Sequence, residues 1–275
     1  MRIPFFSFKW VIIFLYLLIL LLFPLFGLIN KTGLFPSFFS STQTSFFLFW
    51  KIASQPLALS AYKITFLTAF FACVINTFFG FLVAWILVRY QFIGKRFLDA
   101  AIDLPFSLPT SVAGLTLATV YGQNGWIGSY LEKLGIHIIF NSYGIILAMI
   151  FVSFPFIVRT LQPVLQEIEK EIEEAAWSLG ASSWKTFQTI IFPSLIPALL
   201  TGMTLAFSRS IGEYGSILIV AANIPFQDLI ASVLIYQKLE QYDILSATII
   251  GMVMLLLSIV LLLLMNFFQN WNKKH

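Results

Sequence analysis

The sequence predicts an all-α, polytopic membrane protein of about six transmembrane helices, with a pair of short amphipathic helices between the fourth and fifth. Three observations predict it. The 275 residues are 59% hydrophobic and only 10% charged, whereas a soluble domain usually carries about 25% charged residues. So few charges leave too little polar surface to coat a water-facing globule. Six apolar runs come near the ~20 residues that a helix needs to cross about 30 Å of hydrocarbon. Aromatic residues make up 17% of the chain, with 31 Phe, and several Trp and Tyr sit at the ends of apolar runs, where an amphipathic ring suits the bilayer interface.

The first run, Trp10 to Ile29, carries no charge and follows Arg2 and Lys9. A signal peptide begins in the same way. This run is longer than a typical signal core, however, and no small-residue cleavage site follows it, so it reads as a retained anchor. The next segment, Asn30 to Ala61, is rich in Phe and Ser and includes Phe46-Phe47-Leu48-Phe49-Trp50; it is expected to lie along the outer membrane surface. Further spans are expected over about Ile64–Val88, Ala100–Tyr121 (broken by Pro105 and Pro109), Tyr143–Leu161 (with Pro155 inside), Leu195–Val220 and Leu245–Phe268. The chain thus divides into an anchor and outer segment (1–61), a transmembrane domain (62–268) and an inner tail (269–275). Gly80, Gly114 and Gly202 are expected where helices pack closely.

Basic residues set the orientation. With the N-terminus inside, the inner segments hold Arg2, Lys9, Arg89, Lys95, Arg96, Arg159, Lys170, Lys185, Lys273 and Lys274, against Lys31, Lys51, Lys63, Lys133 and Lys238 outside. That excess places both termini in the cytoplasm or its equivalent.

The inner segment from Pro163 to Gly202 has helical rather than random patterning. Val164, Leu165, Ile168, Ile172, Ala175, Ala176 and Leu179 recur in steps of three and four and build one stripe. Pro163 suits an early helix position, Gly180 suits the turn after a helix, and a second short helix is expected from Ser182 or Ser183. Such a helix could rest on lipid, but Glu167, Glu169, Glu171, Glu173 and Glu174 oppose that, because helices on anionic membranes favour Lys and Arg. The better reading is a docking helix for another protein.

Several classes are excluded. Cys73, alone, allows no disulfide within the chain, and His137 and His275 are too few for a zinc site. No basic face exists to track nucleic-acid phosphates. The only Gly-Lys pair, Gly94-Lys95, has Arg89 where a phosphate-binding loop needs its first glycine, so the chain is not expected to hydrolyse ATP or to be an enzyme by itself.

Glu174-Ala175-Ala176, Gly180, Ile190 and Pro193 together resemble the EAA loop of ABC-importer permeases, E-A-A-x3-G-x9-I-x-L-P, with Phe192 where the pattern prefers Leu. In that family the loop forms coupling helices that seat in a cleft of an ATP-binding subunit. The resemblance therefore assigns coupling, within a loop at about 163–193, to Glu173, Glu174, Ala175, Ala176, Gly180 and Ala181. Asp103-Leu104-Pro105-Phe106-Ser107-Leu108-Pro109-Thr110, Gly122-Gln123-Asn124-Gly125-Trp126, Gly212-Glu213-Tyr214-Gly215-Ser216 and Lys238-Leu239-Glu240-Gln241-Tyr242-Asp243 extend it, over roughly residues 58 to 268, to the sulfate (thiosulfate) permeases of the T or U type. That family implies a type I importer fold and a second, related permease in a heterodimeric pore. It also implies separate ATP-binding subunits carrying ATP and Mg, an external sulfate-binding protein, and no cofactor in this chain. Molybdate or tungstate permeases share part of the pattern and stand as the alternative substrate class; a non-transporting membrane scaffold is the alternative outside transport. The Phe, Ile and Leu bias, with little Ala or Arg, suits an AT-rich genome and so the inner envelope membrane of an algal or plant plastid, otherwise a bacterial inner membrane.

Two groups are candidates for an anion path. Arg209 lies about fifteen residues into the fifth run, with Glu213 four residues later on the same face. A charge at mid-helix costs about 2.5–3.5 kcal/mol on insertion scales, so it faces protein or water. The two residues either fix helix packing as an internal ion pair or ease the passage of a dianion. The Pro105/Pro109 break frees backbone N–H groups, and Ser107, Thr110 and Ser111 add hydroxyl donors, which can also bond back to their own helix.

Overall fold

The computed structural model describes residues 5–31 and 46–272, and these are helical with connecting turns. Residues 32–45, in the expected outer segment, and 273–275, in the expected tail, lie outside the described residues. In chain order, α1 (Phe5–Leu17) passes through a π-helical turn (Leu18–Leu22) into α2 (Phe23–Lys31), followed by α3 (Phe46–Ala53) and α4 (Pro56–Arg89). Next come α5 (Lys95–Ile102), α6 (Leu104–Ser107), α7 (Thr110–Tyr121), α8 (Gly128–Lys133) and α9 (Ser142–Glu167). Beyond them α10 (Lys170–Ser178) leads to α11 (Ser183–Thr186), a second π-helical turn (Phe187–Ile191), α12 (Phe192–Ile211), α13 (Gly215–Val220), α14 (Ala231–Glu240) and α15 (Ile244–Asn272). Among the described residues, five stretches are long and apolar enough to cross a membrane: Trp10–Leu28, Pro56–Arg89, Ser142–Glu167, Ser183–Ile211 and Ile244–Met265. The expected third span is divided among α5, α6 and α7: α5 ends at Ile102, and Leu108, just before Pro109, is extended and parts α6 from α7.

Three local expectations are corrected. The fifth run is not one helix to Val220. It ends at Ile211, turns through Gly212–Tyr214 and restarts as α13, because the Glu213 carboxylate accepts from Ser216 N at 3.1 Å and Ser216 Oγ at 2.8 Å, and such local bonds compete with the helix ladder. Pro163 does not start a helix; it lies inside α9 with Pro155, where surrounding helices can make good the lost backbone bond. The stripe from Val164 to Leu179 is therefore split at Ile168, whose backbone is extended. Leu165 is buried in the bundle, whereas Ile172 and Leu179 of the next helix are exposed.

The bundle is built on α4, α9 and α12. Gly80 brings α4 against Ile157 of α9, with a built Cβ only 2.7 Å from Ile157 Cγ2. Gly202 of α12 lies against Thr160 and Ile157, and Gly114 of α7 lies against the Ser216 backbone. All three glycines thus occupy close crossings, as expected. Asn76 Nδ2 donates to Ile150 O at 3.0 Å and Ser153 Oγ at 2.8 Å, and Ser210 Oγ donates to Ser153 Oγ at 3.1 Å. In an apolar setting that has no water to compete, such bonds pin α4, α9 and α12 together at about 0.6 kcal/mol each. In α3, Phe49, Ile52 and Ala53 bury against Ile249 and Met252 of α15, while Phe46, Phe47 and Trp50 stay exposed.

Candidate functional site

Between α9 and α12 the chain makes an elbow. Glu171 and Glu173 occupy the first turn of α10, where the helix dipole favours negative charge. The helix stops in a Schellman turn: Gly180 N donates to Trp177 O at 2.9 Å and Ala181 N donates to Ala176 O at 3.0 Å. That turn needs a left-handed residue, and Gly180 has φ +87°. Ser182 then caps α11, its Oγ accepting from Lys185 N at 3.3 Å. The predicted coupling residues divide into two sets. Glu174, Ala175 and Gly180 are exposed, as are Trp177 and Leu179, the latter at 89%. Glu173 and Ala176 turn inward, and Ala181 is half-buried. Glu173 Oε1 lies 2.5 Å from Arg89 Nη2 at the end of α4.

The candidate path residues are only partly brought together. Arg209, in the last turn of α12, pairs with Glu213 at 2.8 Å. Its side chain is 32% exposed, while that of Glu213 is 1% exposed. Glu213 also accepts from Ser216 through its carboxylate and from Ser232 Oγ through its carbonyl at 2.7 Å, which ties α12, α13 and α14 together. Its surroundings are those of a packing residue, and Arg209 alone of the pair reaches the surface. Thr110 and Ser111, at the start of α7, lie against Gly215, two residues beyond Glu213. Ser107 is exposed and bonds back to Leu104 O at 3.2 Å.

A second charged cluster was not foreseen from sequence. Arg159 of α9 donates to Asp103 through Nε at 2.8 Å and Nη2 at 2.6 Å, to Asp99 Oδ1 at 2.7 Å and Asp99 O at 2.7 Å, and to Gln162 Oε1 at 2.6 Å. The fork grips Asp103 at both oxygens, the geometry that makes Arg–carboxylate pairs strong. It fastens α5 and the start of the proline break to α9. Asp99 lies on α5, outside the spans, and the Gln162 amide and then the Arg159 guanidinium hold its carboxyl below the usual carboxylate range. The signal was present in the sequence: Asp99 and Asp103 stand i,i+4, where like charges repel unless a cation sits between them.

Comparisons with known proteins agree with one another. The model of the family described as binding-protein-dependent transport system inner membrane component matches residues 76–274. The probable sulfate transport system permease protein cysT of Chlorokybus atmophyticus is 57% identical over 267 residues, covering 97% of this chain and 90% of that one. The sulfate transport system permease protein CysT of Synechocystis is 52% identical over 269 residues, covering 98% and 91%. A bacterial alginate ABC transporter, solved in complex with an alginate pentasaccharide-bound periplasmic protein, contains a chain of the same fold, with TM-score 0.75 and 17% identity over 95% of this chain and 92% of that chain.

Proposed function

This chain belongs to the family of binding-protein-dependent transport system inner membrane components, and on that premise we propose that it is the membrane-spanning permease subunit of an ATP-driven sulfate importer. The observation that carries the proposal is the elbow: an acidic helix with Glu174, Ala175, Trp177 and Leu179 exposed, bent at Gly180, and tethered at both ends to long apolar helices. Exposed Trp177 and Leu179 on an acidic helix outside the apolar spans mark a protein contact rather than a lipid-facing surface. The partner is a separate ATP-binding subunit, which supplies ATP and Mg. Its closure moves the elbow and opens the bundle alternately to the two sides.

The names of relatives more than half identical over nearly the whole chain support sulfate over molybdate. A second, related permease completes the pore, and an external binding protein delivers the anion; the periplasmic protein seated on the alginate transporter supports that arrangement. The path is proposed to run beside the break at 104–111, with Thr110, Ser111 and the exposed end of Arg209 as donors. Relatives from an alga and a cyanobacterium support a plastid inner envelope membrane. The test is uptake of labelled sulfate in a sulfate-uptake-deficient host that carries the other subunits, with molybdate and thiosulfate as competitors. Restored sulfate uptake is expected; uptake of molybdate without sulfate would overturn the substrate.

A further inference from the structure

Glu173 and Glu174 are neighbours in sequence with opposite surroundings. Glu174 is exposed and available to a partner. The side chain of Glu173 is 14% exposed, as is that of Arg89. Arg89 Nη2 and Glu173 Oε1 lie 2.5 Å apart without hydrogen-bond alignment. Arg89 Nε and Nη2 and Glu173 Oε1 are buried without a hydrogen-bond partner, so separating the pair would leave these atoms without their counter-charge. Arg89 is the last residue of α4, and its guanidinium lies 5.2 Å from the centre of the Trp85 ring. Trp85 meets Phe187 edge-on at 5.6 Å, and Phe187 stacks on Trp184 at 5.5 Å. Phe187 and Trp184 belong to the second arm of the elbow.

We propose that the Arg89–Trp85 end of α4 is the receiver for the elbow's movement, with the Glu173–Arg89 pair as the strut from its first arm and the Trp85–Phe187 contact as the strut from its second. Both arms are thereby fixed to one span. α4 in turn packs along α9 through Gly80 and Asn76, so a displacement at its inner end reaches the middle of the bundle. Arg89 and Glu173 are positioning residues: they touch no substrate. This inference rests on the reading of the elbow as the contact with an ATP-binding subunit.

The test uses the assembled transporter with Arg89→Gln, Glu173→Gln and the double variant. Each single variant is expected to lower sulfate uptake at least tenfold while the ATP-binding subunit still copurifies in full amount and still hydrolyses ATP. The double variant is expected to lose no more than either single one, because the two changes remove one shared interaction. Arg89→Lys, which keeps the charge, is expected to recover part of the uptake. Normal uptake in either single variant, additive losses in the double one, or loss of copurification would overturn the strut. Glu174→Lys is the separate control for the docking surface: undiminished copurification and uptake there would overturn the elbow reading instead.

Discussion

Replacing Gly180 isolates the bend of the elbow from every other property of the loop. Its φ is +87°, and a Cβ built on it meets no heavy atom within 4 Å, so the cost of Gly180→Ala is the backbone term alone. A left-handed L-residue costs about 1–2 kcal/mol, a factor of about 5–30 in the equilibrium between bent and unbent elbow. Asn tolerates this region better than Ala. Gly180→Pro differs in kind, since the ring holds φ near −65° and removes an N–H, here the one that Trp177 O accepts at 2.9 Å. The expected order of sulfate uptake is therefore Gly, then Asn, then Ala, with Pro abolishing it. Immunoblotting of the membrane fraction should show equal amounts of all four, because the loop lies outside the apolar spans. Full uptake with Gly180→Pro, or Asn falling below Ala, would refute the reasoning that the left-handed turn is what the position supplies.

Removing the fork of Arg159 with Arg159→Ala leaves Asp99 and Asp103 without their shared cation, and uptake should fall by an order of magnitude or more, whereas Asp99→Asn, which keeps the Asp103 grip, should cost less; paired uptake measurements check the order. Because its partners depress the Asp99 carboxyl, that contribution is present above the ordinary carboxylate range and is lost as pH falls through the depressed value, so thermal stability of the detergent-solubilised wild type should drop only in acid, and less in Asp99→Asn. Gly114→Ala places a methyl group 2.6 Å from Ser216 O and 2.7 Å from its Cα; backbone cannot rotate away, and overpacking should cost about 1–3 kcal/mol, visible as a lowered melting temperature that Gly27→Ala, which meets nothing within 4 Å, does not show. Arg209→Gln should lower uptake while assembly persists, whereas Glu213→Gln, at the junction of three helices, should reduce the amount of complex recovered; equal losses of assembly in both would assign Arg209 to packing as well.

Much of the architecture was legible along the chain because a bilayer reads composition directly. Runs such as Trp10–Ile29 and Leu245–Phe268 need no tertiary partner to declare themselves, and Pro105 with Pro109 marked a break that the extended Leu108 bears out. The elbow was legible as well, since a glycine after an amphipathic acidic stretch has a local meaning. The boundary near Pro163 was misread for a physical reason. Apolar residues at helical spacing look the same whether they continue a span or begin a new helix, and only the packing of Leu165 into the bundle distinguishes the two. The break after Ile211 was hidden likewise, since a 26-residue run from Leu195 to Val220 gives no sign that Glu213 folds back on Ser216.

By itself the amino-acid order determined that this protein lives in a membrane, roughly how many times it crosses, and where its acidic loop bends, because those depend on transfer from water and on backbone preferences acting within a few residues. The tertiary structure alone decided which charges remote in sequence neutralise one another. Arg89 with Glu173 and Arg159 with Asp103 are 84 and 56 positions apart, and each guanidinium acquires its partner only when helices remote in sequence pack side by side.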